Sequence, residues 1–179
     1  FDAIRDTEGV DGVNVFVDVP VVVARQDEVA IQTQLGTSRL MPFYGEGEAV
    51  GRAPVLIDGS APTAAGDIAV NANGAQKYGI GMGEKLIVVD KDGRNEFTVT
   101  GLYEDPLAQE TSLVMRVGEQ AYLDVYRDGE SVPAVTVDGG QGVVDRLKSE
   151  FPELEVRAGA DVAEELSQQI RGGLRFVSY

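Results

Sequence analysis

The residues of this chain that could do chemistry are glycines around a lysine, loop carboxylates and serine hydroxyls, because histidine and cysteine are both absent. Without cysteine there is no disulfide, no thiolate nucleophile and no thiolate-held zinc. Without histidine, the Ser-His-Asp arrangement and the usual imidazole metal sites disappear together. Carboxylate or lysine chemistry remains. Gly79-Ile80-Gly81-Met82-Gly83-Glu84-Lys85 has the composition of a phosphate-cradling loop. Such loops leave a strand and open a helix, whose first amides and positive dipole hold the anion. Here the periodicity places the helix first and the strand after. Gly79 therefore reads as a helix stop and Gly83 as a turn before a strand.

Asp90-Lys91-Asp92-Gly93 begins like a calcium loop, but the third acidic position and the closing bidentate glutamate are missing. A hairpin turn is the better reading. Glu46-Gly47-Glu48 and Glu104-Asp105 are carboxylate pairs of the kind glycosidases use. That chemistry needs two carboxyls at a defined gap across a substrate, which neighbours in a loop do not supply, so solvated surface is favoured. Ser38, Ser60, Ser112, Ser131, Ser149, Ser167 and Ser178 have no histidine base, and no Gly-x-Ser-x-Gly elbow surrounds any of them. No catalytic residue, cofactor site or metal site is expected, and the domain should fold without a bound ion.

Composition bounds the class. At 179 residues the chain can hold one ordinary core, or two small lobes. With 43% hydrophobic and 25% charged residues it is globular and not disordered. Thirty acidic residues against fifteen basic ones give a net charge of −15. Phosphate backbones and anionic lipid surfaces would repel such a chain, so nucleic acid is excluded as a partner. A cationic ligand or partner is compatible with this charge; so is an acidic face that only maintains solubility. No apolar run approaches the roughly 20 residues of a membrane span, and the stretch 19–24 is broken by Pro20. No signal-peptide pattern is read within these residues, as expected if targeting elements lie outside them.

The elements that must position these groups are mixed α and β. Val13, Val15, Val17 and Val19 alternate with Asn14, Phe16 and Asp18, which predicts a long strand to Ala24. A polar turn at 25–28 leads to a second alternation over Val29, Ile31, Thr33 and Leu35, a hairpin. Residues 36–67 read as loop and short strand. A strand at 68–71, a helix at 73–78, a strand at 85–90, a turn at Asp92-Gly93 and an antiparallel return at 96–102 follow. Then come a strand at 112–117, a helix at 119–126, a strand at 134–137, a helix at 142–151 and a strand at 154–158. In that helix Val143, Val144, Leu147 and Phe151 face inward. The order suggests an α+β fold with a split β-α-β sheet and helices on one face.

From Asp161 to Tyr179 the chain reads as one more helix. Asp161 is the expected N-cap with Glu164 as its capping-box partner, and Val162, Leu166, Ile170, Leu174 and Val177 share a face. It runs without a stop signal into Arg171, Arg175, Phe176 and Tyr179, groups that suit lipid headgroups. Phe1-Asp2-Ala3-Ile4-Arg5 also looks helical, with no cap before it. The expectation is a water-soluble piece between two membrane-spanning helices, with Phe1, Gly172, Gly173, Arg175, Phe176 and Tyr179 at the junctions. The alternative is an amphipathic helix packed on its own domain.

The motifs in order point further. Gly51-Arg52-Ala53-Pro54, Gly66-Asp67-Ile68-Ala69-Val70-Asn71, Ala75 through Lys77-Tyr78-Gly79-Ile80-Gly81-Met82-Gly83-Glu84-Lys85-Leu86, and Glu96-Phe97-Thr98-Val99-Thr100-Gly101-Leu102 follow one another. Together with Ala160-Asp161-Val162-Ala163-Glu164-Glu165 and its helix, they resemble the periplasmic core domain of MacB/FtsX-like ABC transporter permeases. The resemblance covers nearly the whole chain and is weakest over 103–131. It departs from an uninterrupted exit helix at Gly172-Gly173.

That resemblance implies a MacB-type periplasmic core domain: a porter-like α/β lobe from 1–39 and 127–179, continuing into flanking membrane helices, with an inserted mainly β lobe over 40–126. It implies no catalysis and no cofactor, since ATP hydrolysis belongs to a separate cytoplasmic ATPase subunit. It implies a second permease subunit or homologous half, an exported substrate or cell-envelope protein as partner, and a place on the extracytoplasmic face of the bacterial cell membrane. There the domain would transmit ATP-driven helix motion outward. The competing classes are a free-standing extracellular ligand-binding or adhesion domain and a carboxylate hydrolase.

Overall fold

A computed structural model of the chain describes residues 2–15, 19–26, 38–89, 93–104, 113–126 and 134–164. The chain divides into two compact units, Val13–Val137 and the pair Phe1–Gly12 with Asp138–Tyr179. Strands β1 (Val10–Val15) and β9 (Val135–Gly139) form a two-stranded sheet.

The unit Val13–Val137 is built on β2 (Val19–Arg25), β3 (Ser38–Pro42), β4 (Val55–Gly59), β5 (Asp67–Asn71), β6 (Lys85–Val89), β7 (Arg94–Glu104) and β8 (Val114–Val117). Neighbours run β4-β7-β5-β8-β3-β2-β6, and β6 also pairs with β7. That last pairing closes six strands into a barrel and leaves β4 as an added strand on β7. β7 can serve three partners because it is eleven residues long. Its first part, from Arg94 to Thr98, pairs antiparallel with β6; its last part, from Gly101 to Glu104, pairs with β4. Two ladders involving β7 shift register, at Thr100 against β5 and at Ile57 within β4. Such bulges bend a strand and let its two halves serve different layers.

Period-two patterning fills the barrel. Val21, Val23, Leu40, Ile68, Val70, Leu86, Val88, Phe97, Val99, Met115 and Val117 form one buried cluster. Six strands enclose only enough space for side chains, so the interior is core and not a channel. Helix α2 (Ala72–Tyr78) adds Ala75 to this cluster, Ile80 follows it, and α3 (Glu119–Tyr126) adds Ala121 and Tyr122. A second cluster on Phe43, Ala69 and Tyr103 takes in Leu56 of β4 and Ala61. There the Phe43 and Tyr103 rings meet edge to face at 6.4 Å.

In the other unit, α1 (Asp2–Arg5) and α4 (Val143–Glu150) supply the buried residues Ile4, Val143 and Leu147. The Thr7 hydroxyl lies 3.0 Å from the Glu150 carboxylate and 3.2 Å from the Ala3 carbonyl, and Arg146 donates to the Glu8 carbonyl.

Several expectations change. The strand expected over 13–24 is described as two strands in two sheets, and β2 pairs with β3 and β6. Its expected hairpin partner at 29–35 lies outside the described residues, as does Asp92 of the expected Asp92-Gly93 turn. Residues 36–67, read as loop and short strand, hold the five-residue strands β3 and β4; β3 could not be placed in advance because its inward positions are Ser38, Leu40 and Pro42, none of them a strong strand former. No strand forms at 154–158: the Leu154 amide turns back to the Phe151 carbonyl at 3.0 Å, and Leu154 is exposed. In α4, Val143 and Leu147 are buried as expected, whereas Val144 and Phe151 are half-buried. The last helix starts at 159, with the Ala158 carbonyl accepting from Asp161 and Val162, so Asp161 lies inside the first turn and is not the N-cap.

Candidate functional site

The glycine-rich segment that opened the chemical reading is a helix stop followed by a turn. Gly79 sits in the left-handed region (φ 64°, ψ 39°), and its amide and that of Ile80 return to the Gln76 and Ala75 carbonyls. This 6→1 and 5→2 pattern ends the helix, and Ile80 is buried behind it. The Gly81 amide then donates to the Glu84 carboxylate at 2.9 Å, the Glu84 amide to the Gly81 carbonyl, and the Gly83 amide to the Val99 carbonyl. Five amides that a phosphate would need already have protein acceptors.

Arg25, at the end of β2, holds this turn from outside. Its guanidinium pairs with Glu84 and donates to the Tyr78 carbonyl at 2.7 Å and the Gly79 carbonyl at 3.2 Å. A cation on the last carbonyls of a helix offsets the negative end of its dipole. Arg25, Gln26, Gly83, Glu84 and Lys85 line a shallow open depression, and Lys85 is itself 2.6 Å from Glu96. Both of its basic groups are thus spent on carboxylates.

The other sequence candidates are not assembled into a site. Glu46 and Glu48 are exposed in a turn, where the Glu48 carboxylate accepts from the Gly45 amide. Glu104 is exposed at the end of β7, and Asp105 lies outside the described residues. Ser38 is buried in β3, the Ser60 amide donates to Thr100, and Ser149 is exposed on α4. Ser112, Ser131, Ser167 and Ser178 lie outside the described residues, as do Asp90, Lys91 and Asp92. Among the described residues no group of three acidic side chains could hold a metal ion. Phe1, Gly172, Gly173, Arg175, Phe176 and Tyr179 all fall outside the described residues, and among those residues no helix is long and apolar enough to cross a membrane.

Two features escaped the sequence reading. The first is a polar tie between β1, the loop after β3 and α3. Asn14, buried among valines, donates from its carboxamide to the Glu48 carbonyl at 2.8 Å and accepts from the Val50 amide. The Val15 amide donates to the Tyr44 hydroxyl at 2.7 Å, which donates onward to Glu119 at 2.6 Å. The available signal was an asparagine inside a valine alternation.

The second is an apolar strip on β4. Val55 and Ile57 are 49% and 54% exposed, and Met82, whose methyl lies over Gly59, is 41% exposed. These are three of the five large exposed hydrophobic residues among the described residues. Leu56, on the other face of the strand, is the one packed inward, against Phe43 and Tyr103.

No known family description matches the chain, and no curated protein matches it. Solved structures do. The periplasmic region of MacB from Actinobacillus actinomycetemcomitans is 12% identical with a TM-score of 0.62, covering 93% of this chain and 80% of its own. The extracellular domain of the noncanonic ABC-type transporter YknZ from Gram-positive bacteria is 14% identical with a TM-score of 0.54, covering 83% and 74%. A permease-protein domain from Porphyromonas gingivalis is 18% identical with a TM-score of 0.57, covering 85% and 72%. The chain therefore has the α+β fold of MacB-type periplasmic domains.

Proposed function

We propose that the chain is the extracytoplasmic domain of an ABC transporter permease and that it performs no catalysis. The observation that carries this reading is a shared fold over 93% of the chain with a transporter's periplasmic region, alongside two further transporter or permease domains. The chemistry of the chain agrees with it. The glycine loop is a capped helix end and its neighbouring basic groups are paired, so neither waits for a substrate.

In this reading the domain stands on the outer face of the bacterial membrane, between membrane helices that continue from its two ends. A cytoplasmic ATPase subunit supplies the energy, and a second permease subunit or homologous half completes the membrane part. Residues 1–39 and 127–179 form a porter-like lobe, and 40–126 an inserted mainly β lobe. The closed barrel lies mostly within that insertion, with β2 contributed from before it. Helix motion driven by ATP reaches an exported substrate or a cell-envelope protein through this domain.

The full-length gene product tests the reading. It is expected to carry apolar stretches of about 20 residues on both sides of the segment Phe1–Tyr179. It should also co-purify in detergent with an ATPase encoded beside it. A full-length product that is secreted without membrane association would replace this reading with the free-standing ligand-binding or adhesion domain.

A further inference from the structure

We infer that the strip formed by Val55, Ile57 and Met82 is a docking site for an extended, basic segment of a partner polypeptide, laid along β4. The inference rests on the reading of the chain as a domain that acts on something outside the membrane, and it names the surface and the chemistry of that contact.

Three observations carry it. Among the described residues β4 is paired on one side only, with β7, so its other edge presents backbone donors and acceptors. Two of its exposed side chains are apolar: Val55 and Ile57 lie two residues apart, with the register shift at Ile57, and Met82 extends the strip over Gly59. An extended partner would cover both with alternate apolar side chains of its own.

Charge selects the occupant. Asp58 on β4 is exposed, and so is Glu104, which stands opposite Val55 in the ladder. Within 52–59 the exposed Arg52 balances Asp58, so the local excess of negative charge comes from Glu104 across the ladder. The chain as a whole carries −15, so a second copy and an anionic lipid surface both meet like charge at this edge. A segment in which lysine or arginine alternates with aliphatic residues meets opposite charge and matching period at once. The shift of register at Ile57 and the length of only five residues restrict β4 as a template for indiscriminate pairing. Affinity must then come from the side-chain strip and the flanking carboxylates.

The test uses the 179-residue chain and three capped synthetic peptides: alternating Val-Lys, alternating Ser-Lys and alternating Val-Glu. The Val-Lys peptide should bind at one-to-one stoichiometry and shift the backbone amide resonances of Val55–Gly59. The Ser-Lys peptide should bind at least about tenfold more weakly, and the Val-Glu peptide should not bind. Ile57→Ser combined with Met82→Ser exchanges exposed side chains, so the melting temperature should hold while Val-Lys affinity falls about tenfold or more. Equal binding of Val-Lys and Ser-Lys, resonance shifts away from β4, or an affinity indifferent to the double variant would each overturn the proposal. So would a dimer of the chain, seen by sedimentation, that the double variant dissolves. Because binding is read on this chain alone, failure here leaves the permease reading to its own test in the full-length protein.

Discussion

The Tyr44 hydroxyl donates to Glu119 at 2.6 Å while accepting the Val15 amide at 2.7 Å, so one phenol joins a strand amide to the first turn of α3. Removing it leaves the Val15 amide without this acceptor. Tyr44→Phe keeps the ring and deletes only the oxygen, and is expected to cost about 1–3 kcal/mol. Glu119→Gln keeps an acceptor for Tyr44 and should cost less. Urea unfolding of the two variants checks the order; equal losses would show that the Val15 amide does not depend on Tyr44.

Close approach of strands gives the second prediction. Gly101 lies where β4 turns away from β7, and a Cβ there would collide with the Ser60 carbonyl and press on the Leu56 side chain. The nearest of these is backbone, which cannot step aside as a flexible side chain could. Gly101→Ala should destabilise the chain by about 2–3 kcal/mol. Gly81→Ala meets nothing within 4 Å and should stay within about 0.5 kcal/mol of the parent. Thermal or urea melts of the pair separate packing from any general intolerance of alanine.

Arg25 gives a third. It holds Glu84 and the last carbonyls of α2 at once, and both side chains are only partly exposed. Arg25→Met keeps the aliphatic stem and removes the charge, so the loss reports the polar contacts alone and should be about 1–2 kcal/mol. High salt should shrink the difference between parent and variant only slightly, since two of the three contacts are to carbonyls. A difference abolished by salt would reduce Arg25 to an ordinary surface ion pair.

What could be read from the chain were the local devices. The helix-before-strand order around Gly79, the β6–β7 hairpin and the α3 segment each follow from turn residues and periodicity within a short window. Closure of the barrel could not be read. It depends on β3 lying parallel to β8, more than seventy residues on, and β2 antiparallel to β6, more than sixty residues on. Strand β3 announces neither, since Ser38 and Pro42 occupy its inward positions beside Leu40. The opposite error arose at 154–158, where strand-forming residues have no ladder partner among the described residues and the chain bends instead. The tie at Asn14 was half legible: a polar residue among valines needs partners, but Glu48 and Val50 are set by a loop with no periodicity of its own.

The last prediction concerns how motion would leave the membrane. If the domain is driven through its terminal helix, that helix acts as a lever, and a lever must carry displacement without bending. Its described beginning is firm, since the Ala158 carbonyl accepts two amides at the first turn, and the residues after 164 lie beyond the description. Gly172 and Gly173 are the soft point in the sequence, each weakening a helix interior by about 1 kcal/mol relative to alanine. On the permease reading, in the full-length protein with its ATPase, a flexible Gly-Ser segment inserted after Ser178 is expected to abolish transport while subunit assembly, followed by co-purification, is retained. Gly172→Ala together with Gly173→Ala raises helix propensity over the stretch that the sequence reads as a continuation of that helix. It should slow transport if the pair is a hinge and leave it unchanged if the pair is only a weak spot. Normal transport with the insertion would sink the lever, whatever the alanine pair does, because a flexible joint cannot pass force to the domain.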